Sequence, residues 1–149
     1  MNGKNKSFNI TKEFSFVLGH TLDEHQGKCK NAHGHNYRIL VTVQSNELNN
    51  GMIIDFYDLS KIVQPVLEEF DHAFAINTNA LDIFEKDLTD VLKKHNRKII
   101  ELPFRSTTEN LSRYFFDRIS NLLDCSSHQV LKVTVYETPT SFAEYGEKG

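Results

Sequence analysis

The sequence predicts an α+β fold, with helices laid over one face of an antiparallel sheet. Residues alternate with a period of two near both ends of the chain, and apolar residues recur at helical spacing between them. Strands and helices kept in separate runs favour this class over alternating parallel units. The length of 149 residues suits one domain, residues 1–149. A chain of that size buries roughly 70% of its unfolded surface, so it holds a core without staples.

From Phe8 to Leu18 the even positions are Phe8, Ile10, Lys12, Phe14, Phe16 and Leu18, the pattern of a strand with one buried face. Thr21 to Ala32 is polar, contains Gly27 and reads as a loop. Asn36 to Gln44 alternates again, with Tyr37, Ile39, Val41 and Val43 on one side, and Ser45 to Gly51 reads as a turn or loop. Leu59, Ile62, Val63, Val66, Leu67 and Phe70 then define a helix, which Pro65 should kink or shorten. Leu81, Phe84, Leu88, Val91 and Leu92 suggest a second, weaker helix. Lys98 to Leu102 is short and apolar, in the manner of an edge strand.

Ser106-Thr107-Thr108-Glu109 has the S-x-x-E form of a capping box. The helix after it should bury Leu111, Phe115, Ile119, Leu122 and Leu123. Val130 to Glu137 places Leu131, Val133 and Val135 on one face, and Ser141 to Tyr145 returns through a Thr138-Pro139-Thr140 turn. Four strands leave two open edges, so oligomerisation through the sheet is expected.

Composition excludes several classes. Hydrophobic residues make up 39% and charged residues 25%, an ordinary soluble balance. No run approaches the roughly 20 apolar residues that span a bilayer. Met1 to Lys12 is polar, so secretion is not indicated. The net charge of −3 argues against nucleic acid as a partner. Two Cys without a framework point to a reducing, cytoplasmic compartment.

The strongest chemical signal is His33-Gly34-His35 running into a strand. Residues two apart on a strand point the same way, so both imidazoles reach one metal ion. His20 is the best third ligand, because it continues the even face of the first strand. Three neutral His and no thiolate suit a catalytic zinc, which keeps a position open; an unliganded surface pair is the alternative. Cys29 lies between Lys28 and Lys30, and cationic neighbours favour the thiolate that works as base or nucleophile; an inert loop thiol is the alternative. Asp71-His72 follows the first helix and reads either as a general acid–base pair or as a polar helix end. Glu137 ends an apolar strand face; a ligand with N–H donors would satisfy it, and so would solvent.

Taken together, these residues resemble the 6-pyruvoyl-tetrahydropterin synthase and 6-carboxy-tetrahydropterin synthase family. The matching pieces are Phe16 to His20, Gly27-Lys28-Cys29, His33 to Tyr37, Gly51 to Phe56, Phe70-Asp71-His72, Ser106 to Asn110 and Val135 to Thr138. They occur in the family's order and span most of the chain. The resemblance implies the tunnelling fold, a four-stranded antiparallel sheet with two main helices on one face. Three such sheets close into a β-barrel, and two trimers stack into a homo-hexamer with active sites shared between neighbours.

By the same resemblance the substrate is 7,8-dihydroneopterin triphosphate. Zinc would sit on His20, His33 and His35, with Cys29 as base and Asp71 and His72 as its relay. Glu137 would bind the pterin's N–H donors, Thr107, Thr108 and Glu109 would lie near the pterin pocket, and Lys28 would meet the triphosphate. The first reading is a 6-carboxy-5,6,7,8-tetrahydropterin synthase of queuosine biosynthesis, a carbon–carbon lyase releasing acetaldehyde and triphosphate. The ending Glu137 to Ala143 looks like that type, whereas Ser106 to Asn110 is like the pyruvoyl enzymes, which eliminate triphosphate and rearrange the side chain internally. A non-catalytic zinc or pterin-binding relative is a third reading, against which Cys29 and Asp71-His72 argue. Asn79 to Arg97 is longer than in compact members.

Overall fold

The computed structural model describes residues 4–80, 82–123 and 125–148. Its strands are β1 (Phe8–His20), β2 (His33–Ser45), β3 (Ala73–Asn77), β4 (Ile99–Leu102), β5 (Gln129–Thr138) and β6 (Ser141–Gly146). Its α-helices are α1 (Phe56–Glu68), α2 (Ile83–Lys94) and α3 (Thr108–Leu123). One sheet runs in the order β4-β3-β1-β2-β5-β6.

The expected antiparallel strands form the contiguous block β1-β2-β5-β6. The expectation of a purely antiparallel four-stranded sheet is corrected. β3 and β4 extend the sheet on the far side of β1, and both pair in parallel. A third helix, α2, connects those two strands, because parallel neighbours need a crossover.

The core lies between this sheet and the apolar faces of α1 and α3. Phe14, Phe16 and Leu18 of β1 meet Tyr37, Ile39, Val41 and Val43 of β2, beneath Leu59, Val63, Val66, Leu111, Phe115 and Ile119. Phe16 stacks on Tyr37 at 5.1 Å and meets Phe70 and Phe115 edge-on. Aromatic pairs of this kind add about 0.5–1.5 kcal/mol each beyond their buried area.

Several local expectations change. Leu122 is exposed, because the buried stripe of α3 advances in steps of four through Leu111, Phe115, Ile119 and Leu123. A register shift opposite Thr42 and Val43 buries Val130, Val133 and Val135 and leaves Leu131 only half-buried. Pro65 sits inside α1, which runs on to Glu68; Phe70 lies past its end yet is fully buried. Leu81 lies outside the described residues.

The S-x-x-E capping box is also corrected. Thr107, not Ser106, precedes the first residue of α3, and its Oγ1 accepts the Asn110 N–H at 3.3 Å. Ser106 is thereby free for another partner. Next to His20, Gly19 of β1 pairs with Gly34 of β2. A Cβ on Gly34 would lie 3.1 Å from the Leu18 carbonyl oxygen, and one on Gly19 would lie 2.8 Å from the Phe74 ring.

Candidate metal centre

The β1–β2 register sets His20 opposite His33 and Leu18 opposite His35. His20, His33 and His35 therefore share the face that carries Phe16 and Tyr37, at the end of the core. Their ring centroids lie 4.6, 4.9 and 5.3 Å apart. Ser106 is 3.0 Å from Nδ1 of the buried His20 through Oγ and 3.1 Å through its carbonyl oxygen. His33 Nδ1 is 2.6 Å from the carbonyl oxygen of Asn31.

A carbonyl oxygen only accepts, so both Nδ1 atoms carry the proton and both Nε2 atoms keep a lone pair. Those two Nε2 atoms face each other at 3.0 Å. Two lone pairs at that distance repel unless a cation lies between them. Ligands about 2.0–2.1 Å from a tetrahedral zinc stand roughly 3.3 Å apart, so the spacing fits. His35 Nε2 is buried without a well-formed hydrogen bond, and a metal would give it a ligand's role instead.

Glu137 joins the imidazoles. Its Oε1 is 2.9 Å from His35 Nε2 and 3.6 Å from His20 Nε2. The four ligand atoms lie within 4.8 Å of one another, and this group can hold a metal ion. Sequence reasoning put Glu137 on the correct strand face and missed that its oxygen reaches the histidines. Their distance in the chain gives no signal of it.

Burial favours the neutral form of His20 and His35, the form that ligation requires. Burial first, then His33 and His35, lowers the pKa of His20 to about 4. Burial also lowers that of His35; Glu137 opposes this and His33 adds to it. The Tyr37 hydroxyl, buried beneath the rings, is raised by burial, then by Glu137 and Cys29.

The loop between His20 and His33 carries Lys28 and Cys29. Its neck is closed by the Thr21 hydroxyl donating to Lys30 O at 2.6 Å and Leu22 N–H donating to Cys29 O at 2.9 Å. Cys29 is half-buried and Lys28 exposed.

Asp71 and His72 sit at the junction of α1 and β3. Asp71 Oδ1 accepts the Val17 N–H at 2.8 Å, and Oδ2 lies 2.8 Å from His72 Nδ1. The Val17 N–H, then His72 and Lys98, hold the Asp71 carboxyl below the usual carboxylate range. His72 has a φ of +58°, and its N–H donates to Val17 O at 2.7 Å. Among the described residues no hydrogen bond or ion pair joins Cys29 to Asp71 or His72 within the chain. At the start of α3, Thr107 is occupied as a cap, and the Thr108 hydroxyl donates to Glu109 Oε2 at 3.3 Å.

The family profile described as 6-pyruvoyl tetrahydropterin synthase matches residues 9–148. A 6-carboxy-5,6,7,8-tetrahydropterin synthase from Haemophilus influenzae is 41% identical, over 94% of this chain and 99% of its own. An enzyme of the same name from Aquifex aeolicus is 34% identical over 93% of this chain and 98% of its own. The solved 6-pyruvoyl tetrahydropterin synthase of Caenorhabditis elegans superposes with a TM-score of 0.69 at 25% identity, covering 96% of this chain and 97% of that one.

Proposed function

From the premise that this chain belongs to the 6-pyruvoyl tetrahydropterin synthase family, we propose that it is the 6-carboxy-5,6,7,8-tetrahydropterin synthase of a queuosine pathway. It is a lyase that converts 7,8-dihydroneopterin triphosphate with loss of acetaldehyde and triphosphate. The observation that carries this reading is the 41% identity to a carboxy-type relative across 94% of the chain. The pyruvoyl type is the second reading, favoured by the likeness to the C. elegans structure.

His20, His33 and His35 would hold zinc, with Glu137 beside them. Zinc there would supply Lewis acidity toward the hydroxyls of the substrate side chain. Cys29 removes a side-chain proton, and Asp71 and His72 accept and pass it on. A second subunit would complete that relay; within the chain Cys29 makes no hydrogen bond or ion pair with either residue among those described. Glu137 accepts from the pterin's 2-amino and ring N–H groups, which places the side chain to be cleaved next to the imidazoles. Lys28 faces the triphosphate by charge, and Thr107, Thr108 and Glu109 border the pterin.

Assembly follows from the sheet edges. β4 and β6 end the sheet among the described strands, and Phe142 and Tyr145 of β6 are exposed. A homo-hexamer of two edge-closed trimers would cover such edges. No helix among the described residues is long and apolar enough to cross a membrane, and a cytoplasmic site of action fits the substrate.

The deciding experiment incubates the metal-loaded protein with 7,8-dihydroneopterin triphosphate and analyses products by mass spectrometry. Acetaldehyde with a 6-carboxy pterin supports the first reading. A pyruvoyl pterin without acetaldehyde moves the assignment to the second, and no turnover leaves only a binding relative.

A further inference from the structure

Arg105, the residue before Ser106, belongs to a half-buried ionic cluster that ligation does not use. Arg105 Nη2 donates to the backbone carbonyl of Asp23 at 2.7 Å, and its Nε lies 3.3 Å from Asp23 Oδ1. Glu85, from α2, is almost fully buried; its Oε1 accepts the Asn77 N–H at 2.7 Å. Arg105 Nε, Asp23 Oδ1 and Glu85 Oε2 are all buried without a well-formed hydrogen bond. Leaving such atoms short of partners costs free energy.

The cluster sits where three parts of the site meet. Asp23 lies at the start of the loop that carries Cys29, and Arg105 ties that loop down beside the two neck contacts. Arg105 is followed by Ser106, which orients His20, and by Thr107, which caps α3. Glu85 belongs to the β3–α2–β4 unit.

We infer that Arg105 is a positioning residue that fixes the Cys29 loop relative to the metal centre by gripping Asp23. The inference rests on the proposed role of Cys29 and extends it. Arg105 touches no reacting atom; it acts through the backbone of Asp23. Because the grip runs to a carbonyl and a carboxylate together, the flat guanidinium suits it and a lysine ammonium does not replace it fully.

The test compares wild-type protein with Arg105→Met, Arg105→Lys and Asp23→Asn. Arg105→Met is expected to lower kcat about tenfold or more while KM stays within about twofold, since displaced catalytic groups cost rate rather than binding. Bound metal should stay at the wild-type ratio. Alkylation of Cys29 by iodoacetamide, followed by peptide mass spectrometry against Cys125, should quicken about fivefold as the loop opens locally. Arg105→Lys and Asp23→Asn should shift the same way by less, and they carry the test if Arg105→Met does not fold.

Unchanged Cys29 alkylation in the folded variants overturns the proposal whatever the turnover does. Loss of metal alongside faster alkylation overturns it too, because Arg105 would then act through His20. Because alkylation is read without substrate, a failure of the lyase assignment leaves this result standing.

Discussion

Ser106 directs both its hydroxyl and its carbonyl at Nδ1 of His20, at 3.0 and 3.1 Å, instead of capping the helix that follows it. The buried imidazole is thus fixed in one tautomer and one orientation by the residue next to the true cap, Thr107. Outer partners of this kind are worth about 10–100-fold in metal affinity. Since Ser106→Ala keeps the carbonyl, it should weaken metal binding by about tenfold, measured by competition with a chelator. Thr107→Ala should instead cost about 1 kcal/mol of stability and leave metal affinity alone. Equal effects of the two substitutions on metal affinity would refute the division of labour.

The metal-free protein should lose stability as pH falls. His20 has a folded pKa of about 4 against an ordinary 6.5, so between those values the unfolded chain binds a proton that the folded chain refuses. Stability is therefore fully present above pH 6.5, declines toward pH 4, and loses about 3 kcal/mol from this group over that window. Urea unfolding of the metal-free protein at stepped pH measures it. His20→Gln should flatten the decline; a slope unchanged by that substitution assigns the effect elsewhere.

Cys29→Ala should bind zinc and pterin normally and lose turnover by about a hundredfold or more, the scale of a missing general base. Metal analysis and single-turnover kinetics separate the two. Turnover within a fewfold of wild type would remove Cys29 from the mechanism.

Glu137→Ala separates two roles for the carboxylate that lies 2.9 Å from His35 Nε2. As a pterin anchor its loss should weaken substrate binding by about 2 kcal/mol, the worth of a charged hydrogen bond, at normal zinc content. Calorimetry with a pterin and metal analysis decide it. Zinc lost on substitution would make Glu137 the fourth ligand.

The antiparallel block could be read from the sequence because its alternation is long. Phe8 to Leu18 and Asn36 to Gln44 each hold one face through several repeats, and continuing those faces carries His20, His33 and His35 to the same place. β3 escaped because Ala73–Asn77 is short, follows directly on a helix end, and pairs in parallel without an alternating face. Leu131 and Leu122 were misplaced by a bulge and by the drift of a helical stripe, neither of which changes residue type.

At the site, the imidazoles were legible because spacing along a strand fixes direction. Ser106 was not, since S-x-x-E describes an ordinary cap equally well and only the fold reveals which hydroxyl stands at the helix start. Arg105 and Asp23 lie far apart in sequence, so their contact had no local trace.

The facing glycines of β1 and β2 let the two strands come together with nothing protruding on the side away from the histidines. A methyl group at Gly34 would press on the neighbouring backbone and splay the strand tips, and with them the imidazoles rooted on either side of it. The coordination geometry is in that sense written on the reverse of the sheet, and a substitution that never meets the ion can still unmake its cage.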